Sequence, residues 1–328
     1  MTPEIKNYIN DIRSQLHLDP TTERQIISEL YNYFNEKISE LSNKGLSEIE
    51  AAREAISACG RPRVIARMWY EACSRGSWGE ACLSALPHIL IAALFFSHMW
   101  NNKVVGPATF LFIVAVTLTG WRRGKPCWIF PWIGYSFLPI IIAIFSAGDV
   151  YKQIFLFIKT GQGPLPQAWI IATVVLLFVA SLWIIIGTTI KVVRRDWILA
   201  SIMLVPLPVI SSWLFNIQQV GGLFQVPTDA LYQWDISMGV LLVVLGGSSA
   251  IFIRLRQRAL KIIAILTMGA VGAVVVSGNF LPHLGFLGLL ISLVVSLLAL
   301  ISPILIEARI GHGEVNNDAL LSDVTTSN

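Results

Sequence analysis

His88 is the side chain in the apolar part of this sequence that most invites a chemical interpretation. It follows Pro87 within the first long apolar segment, where an ionisable group is a functional hypothesis by default. An imidazole there could relay protons, because its charge changes near neutral pH. The alternative is a histidine whose hydrogen bonds are satisfied by a neighbouring helix, and we favour this structural interpretation.

A second distinctive feature is the pair of prolines in Pro206-Leu207-Pro208, in the middle of a later apolar segment. Two prolines remove two backbone donors and kink or break a helix. Broken helices near the middle of a membrane often build transporter sites. A kink that serves only packing is the alternative, and we favour it over a transport site.

The sequence indicates no catalytic or metal chemistry. The four cysteines form no CxxC pair, and no histidine lies at metal-ligand spacing to them. Paired carboxylates, HExxH, GxSxG and a phosphate-binding glycine loop are not found either. We therefore predict no catalytic residue, no metal site and no cofactor, and we expect that the protein is not an enzyme.

The composition places most of the chain in a lipid bilayer. The 328 residues are 55% hydrophobic and 13% charged, against about 25% charged in a typical soluble domain. Of the 20 acidic residues, 11 precede position 72. The net charge of +4 does not indicate nucleic acid, because the basic residues occupy short loops between apolar segments.

Eight apolar segments have the length of membrane spans. Their predicted ranges are 81–99, 104–121, 127–147, 168–190, 197–217, 236–253, 260–280 and 284–306. We predict an all-α, polytopic helical membrane protein with about eight transmembrane helices over residues 76–306. A small cytosolic helical bundle over 1–75 precedes them, and a disordered cytosolic tail over 307–328 follows.

The loops predict the orientation of these spans. Loops after even-numbered spans carry ten basic residues, and loops after odd-numbered spans carry three. The ten are Arg122, Arg123, Lys125, Lys191, Arg194, Arg195, Arg254, Arg256, Arg258 and Lys261. The positive-inside rule places both termini in the cytoplasm, in a cytoplasmic (inner) membrane. Asp149, Asp229 and Asp235 then fall at outer ends or loops, where we expect solvated caps.

The first 73 residues contain four amphipathic helical patterns with recognisable ends. Thr2-Pro3, Asp19-Pro20, the Ser47/Glu50 capping box and Pro62 mark the four starts. The predicted buried stripes are Ile5, Tyr8, Ile9, Ile12 and Leu16; Ile26, Ile27, Leu30, Phe34, Ile38 and Leu41; Ile49, Ala52, Ala55 and Ile56; and Val64, Ile65, Met68 and Trp69. None of these helices is able to bury its stripe alone, so we expect a compact bundle.

This pattern resembles the HAAS domain, the helical signalling domain found near PadR-type regulators, and the related permease-prefix domains. The resemblance covers roughly residues 5–72, including the stretches ERQIISELYNYFNEKI and GLSEIEAAREAISACGRPRVIA. The matching positions are Glu23, Glu29, Leu30, Phe34, Gly45, Ser47, Glu50, Ala51, Ala55, Gly60 and Pro62. It implies a regulatory or interaction role without catalytic residues. This chain departs from the pattern in continuing into many spans.

Two functions remain as hypotheses. The first is signalling or membrane anchoring, with a cytosolic protein partner bound through residues 1–75. The alternative is a transport permease or permease subunit, which the proline pair favours. The scarcity of charges within the spans disfavours an ion-coupled carrier. The sequence leaves the oligomeric state open.

Overall fold

The computed structural model describes residues 2–138, 140–141, 151, 154–161, 168–220, 232, 234–280 and 285–310. All regular elements in this part of the chain are helical, which confirms the all-α prediction. The helices are α1 (Pro3–Leu16), α2 (Pro20–Asn43), α3 (Glu48–Cys59), α4 (Pro62–Cys73), α5 (Trp78–Phe96), α6 (Val105–Arg122), α7 (Ile129–Ser136), α8 (Ala168–Val193), α9 (Trp197–Leu204), α10 (Pro206–Val220), α11 (Asp235–Arg254), α12 (Arg258–Phe280) and α13 (Gly285–Ile310). A short 3₁₀ turn, Met99–Asn101, follows α5.

Helices α1–α4, called the head below, pack around an apolar core of their own. All five stripe residues predicted for α1 are buried, and the Tyr8 ring meets the edge of the fully buried Phe34 on α2. Asp19 caps α2 by accepting from the backbone N–H groups of Thr21 and Thr22, and Ser47 and Glu50 form the predicted capping box. Local capping and amphipathic burial therefore fix the head.

Three predictions about the head are wrong in detail. Thr2 makes no side-chain capping bond to any described residue. Ile49 is 56% exposed, and α4 exposes Val64 and Met68 while burying Ala66 and Tyr70. The reason lies in tertiary packing, since α4 packs on α1 and also meets the rest of the molecule through Tyr70.

The helices α5–α13, called the bundle below, make this a multi-pass helical membrane protein. Seven helical segments among the described residues are long and apolar enough to cross a membrane, with Trp197–Leu214 running through α9 into α10. The predicted span 127–147 is represented by α7, and its residues 139 and 142–147 lie outside the described residues. Helix α13 continues to Ile310, and positions 311–328 of the predicted tail also lie outside them.

The bundle is arranged around α7 and around the pair formed by α5 and α11. Ile129, Phe130, Trp132 and Tyr135 make α7 almost wholly buried, and it contacts α5, α6, α9 and α10. Helices α5 and α11 pack closely at Gly246, where a Cβ would lie 3.2 Å from His88 Cβ and 3.3 Å from the Ala85 carbonyl oxygen. Small residues at such crossings let membrane helices approach each other.

Candidate functional site at the junction of head and bundle

The chain passes from the head into the bundle through residues 74–77, which are hydrogen-bonded to the end of α11 and to the segment that follows it. The Gly76 N–H donates to the Ile253 carbonyl at 3.0 Å, and Arg254 donates back to the Gly76 carbonyl at 2.8 Å. The Ser74 hydroxyl donates to the Arg256 carbonyl at 2.9 Å. The head is therefore attached to the bundle at a point remote in sequence, and not only through the covalent chain.

Helix α4 contributes one aromatic side chain to this attachment. The buried Tyr70 ring lies 5.3 Å from Lys261 Nζ and 6.0 Å from the Arg258 guanidinium carbon, both on α12. Such cation–π distances are favourable where water is excluded. Burial, with the nearby Asp196 carboxylate, raises the pKa of the Tyr70 phenol well above its usual range. The phenol therefore stays protonated and neutral.

Asp196, which precedes α9, organises the bundle side of the junction. Its carboxylate accepts from the Ile198 N–H at 3.1 Å and from Arg258 at 2.9 Å, and only 3% of the residue is exposed. Burial raises the pKa of this carboxyl, and Arg258 opposes that effect. The ion pair links the loop between α8 and α9 to the start of α12.

These elements enclose a cavity of about 350 Å³, called the junction cavity below. Its walls come from the start of α2, the end of α4, the linker, the loops before α7 and α9, the end of α11 and the first turn of α12. Four basic side chains line it: Arg75, Arg123, Arg195 and Lys261. Three carboxylates do so as well: Asp19, Glu80 and Asp196. A small polar ligand here would touch head and bundle together.

His88 lies deep in the bundle and is fully buried. Its Nδ1 is 2.7 Å from the Tyr135 hydroxyl on α7, and its Nε2 is 2.9 Å from the Ser249 hydroxyl on α11. A neutral imidazole offers one donor and one acceptor, so both nitrogens are used. Among the described residues, no further hydrogen bond extends from either hydroxyl. The arrangement can cross-link three helices.

Pro206 and Pro208 stand in the first turn of α10, after a break at Val205. Prolines are tolerated there because the first N–H groups of a helix lack intrahelical partners. Pro206 is buried, and a Cβ on Gly134 of α7 would lie 3.1 Å from its Cγ. Since Tyr135 follows Gly134, α7 brings the proline break close to His88, which the sequence did not indicate.

The prediction of a solvated cap at Asp235 is wrong, because this residue is fully buried. Its Oδ2 lies 2.7 Å from His98 Nδ1, and Trp100 donates to the same oxygen at 2.9 Å. These partners lie 137 and 135 positions away in the sequence, so no local pattern could reveal them. Asp149 and Asp229 lie outside the described residues.

Comparison with known proteins gave no match to a family model, a curated protein or a solved structure. The resemblance of the head to HAAS domains therefore stays a prediction made from its residues. Sequence reasoning selected His88, Pro206 and Pro208 and missed the junction cavity. The sequence carried one signal for the junction cavity, which was the recurrence of basic residues in loops that the topology prediction placed on one side of the membrane.

Proposed function

We propose that this protein is a membrane-embedded regulator whose HAAS-like head binds a cytosolic protein and responds to the bundle through the junction. The observation that carries the proposal is the attachment of linker residues 74–76 to the α11–α12 segment by three hydrogen bonds. A shift of α11 against α12 would displace these bonds and move α4. The head is therefore able to report a change in the bundle, or to impose one.

The proposed orientation places head and basic loops in the cytoplasm. Arg123, Arg195 and Lys261 come from three different loops or helix starts, and all line one cavity with the head. This common location supports the topology inferred from the positive-inside rule, in which these loops share one side. An inner membrane with both termini in the cytoplasm is the corresponding cellular placement.

The exposed face of α4 is the proposed surface for the cytosolic partner. Val64 and Met68 lie one turn apart on this face and are 52% and 63% exposed. Arg61 and Arg63 precede them in the sequence, and the side chains of both arginines lack hydrogen bonds or ion pairs within the described part of the chain. An apolar surface with a basic edge suits a partner that presents an apolar helix with acidic neighbours.

The test is a crosslinking pull-down with the full-length protein in its membrane. Changing Val64→Asp and Met68→Asp together should abolish capture of the cytosolic partner, because a charged face loses its apolar contacts. Tyr33→Asp on α2, also at an exposed position, is the matched control and should retain capture. Equal capture by parent and double variant would remove α4 as the docking surface.

A transport permease is the second proposal, and the break between α9 and α10 favours it. Met203 and Val205 around the break are buried in the apolar core, which supports a structural kink instead. The double variant Pro206→Ala with Pro208→Ala distinguishes the transport permease from the regulator. We expect unchanged partner capture and no substrate flux in either form. Flux in the parent that disappears in the double variant would establish the permease in place of the regulator.

A further inference from the structure

We infer that the junction cavity binds a phosphate-bearing anion at the cytosolic face of the membrane. The ligand class is a phosphate monoester, carried either by a soluble molecule or by a lipid headgroup. Guanidinium and ammonium groups recognise phosphate oxygens through charge-assisted hydrogen bonds. The inference rests on the proposed function for the cytosolic placement and for the regulatory consequence, whereas binding itself is measured separately.

Each carboxylate of the cavity is engaged by hydrogen bonds or an ion pair, whereas none of its four cations forms an ion pair with a carboxylate of the described residues. Asp19 accepts the two N–H groups at the start of α2, and Glu80 accepts the Ser77 N–H at 2.7 Å. Asp196 is paired with Arg258, which adds a fifth cation beside the cavity. The local balance therefore favours an incoming anion.

Lys261 is the strongest indication of a missing anion. Only 6% of it is exposed. Its Nζ makes one hydrogen bond, to the Ser74 carbonyl at 3.2 Å, and lies 5.3 Å from the rings of Tyr70 and Phe252. An ammonium has three donors, and within the described residues no carboxylate forms an ion pair with it. The Asp196 carboxylate acts on this ammonium without contacting it, since it is paired with Arg258. A buried cation with no anion in contact is costly, so an anion in the cavity would offset that cost.

The arginines supply further donors. Arg195 gives one N–H to the Lys125 carbonyl and another to the Cys127 sulfur, while its buried Nε has no partner among the described residues. The side chains of Arg75 and Arg123 form neither a hydrogen bond nor an ion pair with any residue that the structure describes. Three guanidinium groups and one ammonium thus face the same space with unused donors, the arrangement that phosphate recognition requires.

The size and position of the cavity limit the ligand. A volume of about 350 Å³ falls at the small end of small-molecule sites, which span roughly 300–1,000 Å³. It suits a phosphorylated headgroup or small metabolite better than a protein segment. Because head, linker and bundle all contribute walls, a bound anion would favour the docked arrangement of the head over a displaced one.

The binding experiment uses the full-length protein in phosphatidylcholine nanodiscs. Radiolabelled inorganic phosphate is the soluble probe, measured by equilibrium dialysis at constant ionic strength. Nanodiscs containing phosphatidic acid supply the same phosphate monoester as a lipid, measured as an upward shift in melting temperature. Saturable binding in the first arm assigns a soluble source, and a shift in the second alone assigns a lipid source.

Matched variants show whether the junction cavity is the site at which phosphate binds. Lys261→Met should weaken binding by about tenfold or more. Arg123→Gln tests the same site at an exposed loop residue, where we expect the substitution to leave the fold intact. Arg122→Gln and Arg194→Gln remove equal charge from neighbours outside the cavity and should bind as the parent does. No binding in either arm, or equal loss in Arg122→Gln and Arg123→Gln, would overturn the inference. Partner capture by the parent protein, with no phosphate binding in either arm, would overturn this inference alone and leave the proposed function standing.

Discussion

The head and the bundle distribute their side chains in opposite ways. In the head, apolar residues such as Ile5 and Phe34 are buried, and charged residues cover the outside. In the bundle, Trp183 is 80% exposed and Leu176 70% exposed, while His88, Ser249 and Asp235 are fully buried. Water sorts side chains by polarity, but lipid removes that driving force, so a bundle packs through small residues and internal hydrogen bonds.

This difference predicts where each region is vulnerable. Placing a charged side chain in the core of the head strongly destabilises it, whereas a charged side chain on its surface has little effect on stability. In the bundle, an exposed position is also expensive, because its surroundings are hydrocarbon. Polar side chains within the bundle are tolerated only as bonded sets, such as His88 with Tyr135 and Ser249.

The largest expected effect is a charge in the core of the head. Leu30→Asp should unfold the segment 1–73, since a buried unpaired charge costs several kcal/mol, most of a small domain's stability. Ser28→Asp, two residues earlier and exposed, is the control and should melt as the parent does. Thermal unfolding followed by circular dichroism makes the measurement. Cooperative melting of Leu30→Asp near the parent's temperature would show that the stripe on α2 is misassigned.

The second prediction places the same charge on an exposed position of the bundle. Val179→Asp on α8, where the side chain is 59% exposed, should impair membrane insertion by about 3 kcal/mol. Val179→Leu should insert normally, and the fraction inserted is read by protease protection. If Val179→Asp is as harmless as Ser28→Asp, the exposed face of α8 does not meet lipid, and the contrast between the regions is lost.

The same contrast explains how much the sequence could predict. In α1, where one face is apolar and the other polar, all five predicted core residues are buried. In α4 the prediction failed at Val64 and Met68, because Tyr70 faces α12 and that contact decides the rotation of the helix. In the bundle both faces of a helix are apolar, so the sequence pattern predicts where the spans lie but not which side chains face each other. The contact between Asp235 and His98 was therefore not predicted. The junction cavity is assembled from segments up to 244 positions apart, from His17 to Lys261.

A smaller effect is expected from the buried polar set of the bundle. His88→Leu leaves the Tyr135 and Ser249 hydroxyls without their partner, at a cost of about 1–3 kcal/mol. Adding Ser249→Ala to His88→Leu removes one stranded hydroxyl, so the double variant should be more stable than the sum of the single effects by about 1 kcal/mol. Unfolding in mixed detergent micelles measures these differences. Strict additivity would show that the hydrogen bond contributes nothing.

The smallest expected effect concerns Asp19, which belongs to both regions because it caps α2 and lines the junction cavity. Burial alone would raise its pKa, but hydrogen bonds from Thr22 and the Arg195 charge outweigh burial and hold the pKa below its ordinary value. Asp19→Ala should cost about 1 kcal/mol of head stability at neutral pH, while Asp19→Asn retains a capping oxygen and should cost less.

The pH dependence separates the cap from the bundle's contribution. A lowered carboxyl pKa means that the stabilisation is complete above the ordinary value of 3.8 and is lost as pH falls through the lowered pKa. Asp19→Asn should remove this acid-side loss, because its amide does not titrate there. Arg195 is absent from the segment 1–73, so the Asp19 pKa, read by carboxyl NMR, should be lower in the full chain than in that segment. Equal values in the two proteins would mean that the Arg195 charge lowers this pKa by no more than burial against the bundle raises it, and the predicted influence of the loop before α9 on Asp19 would be wrong.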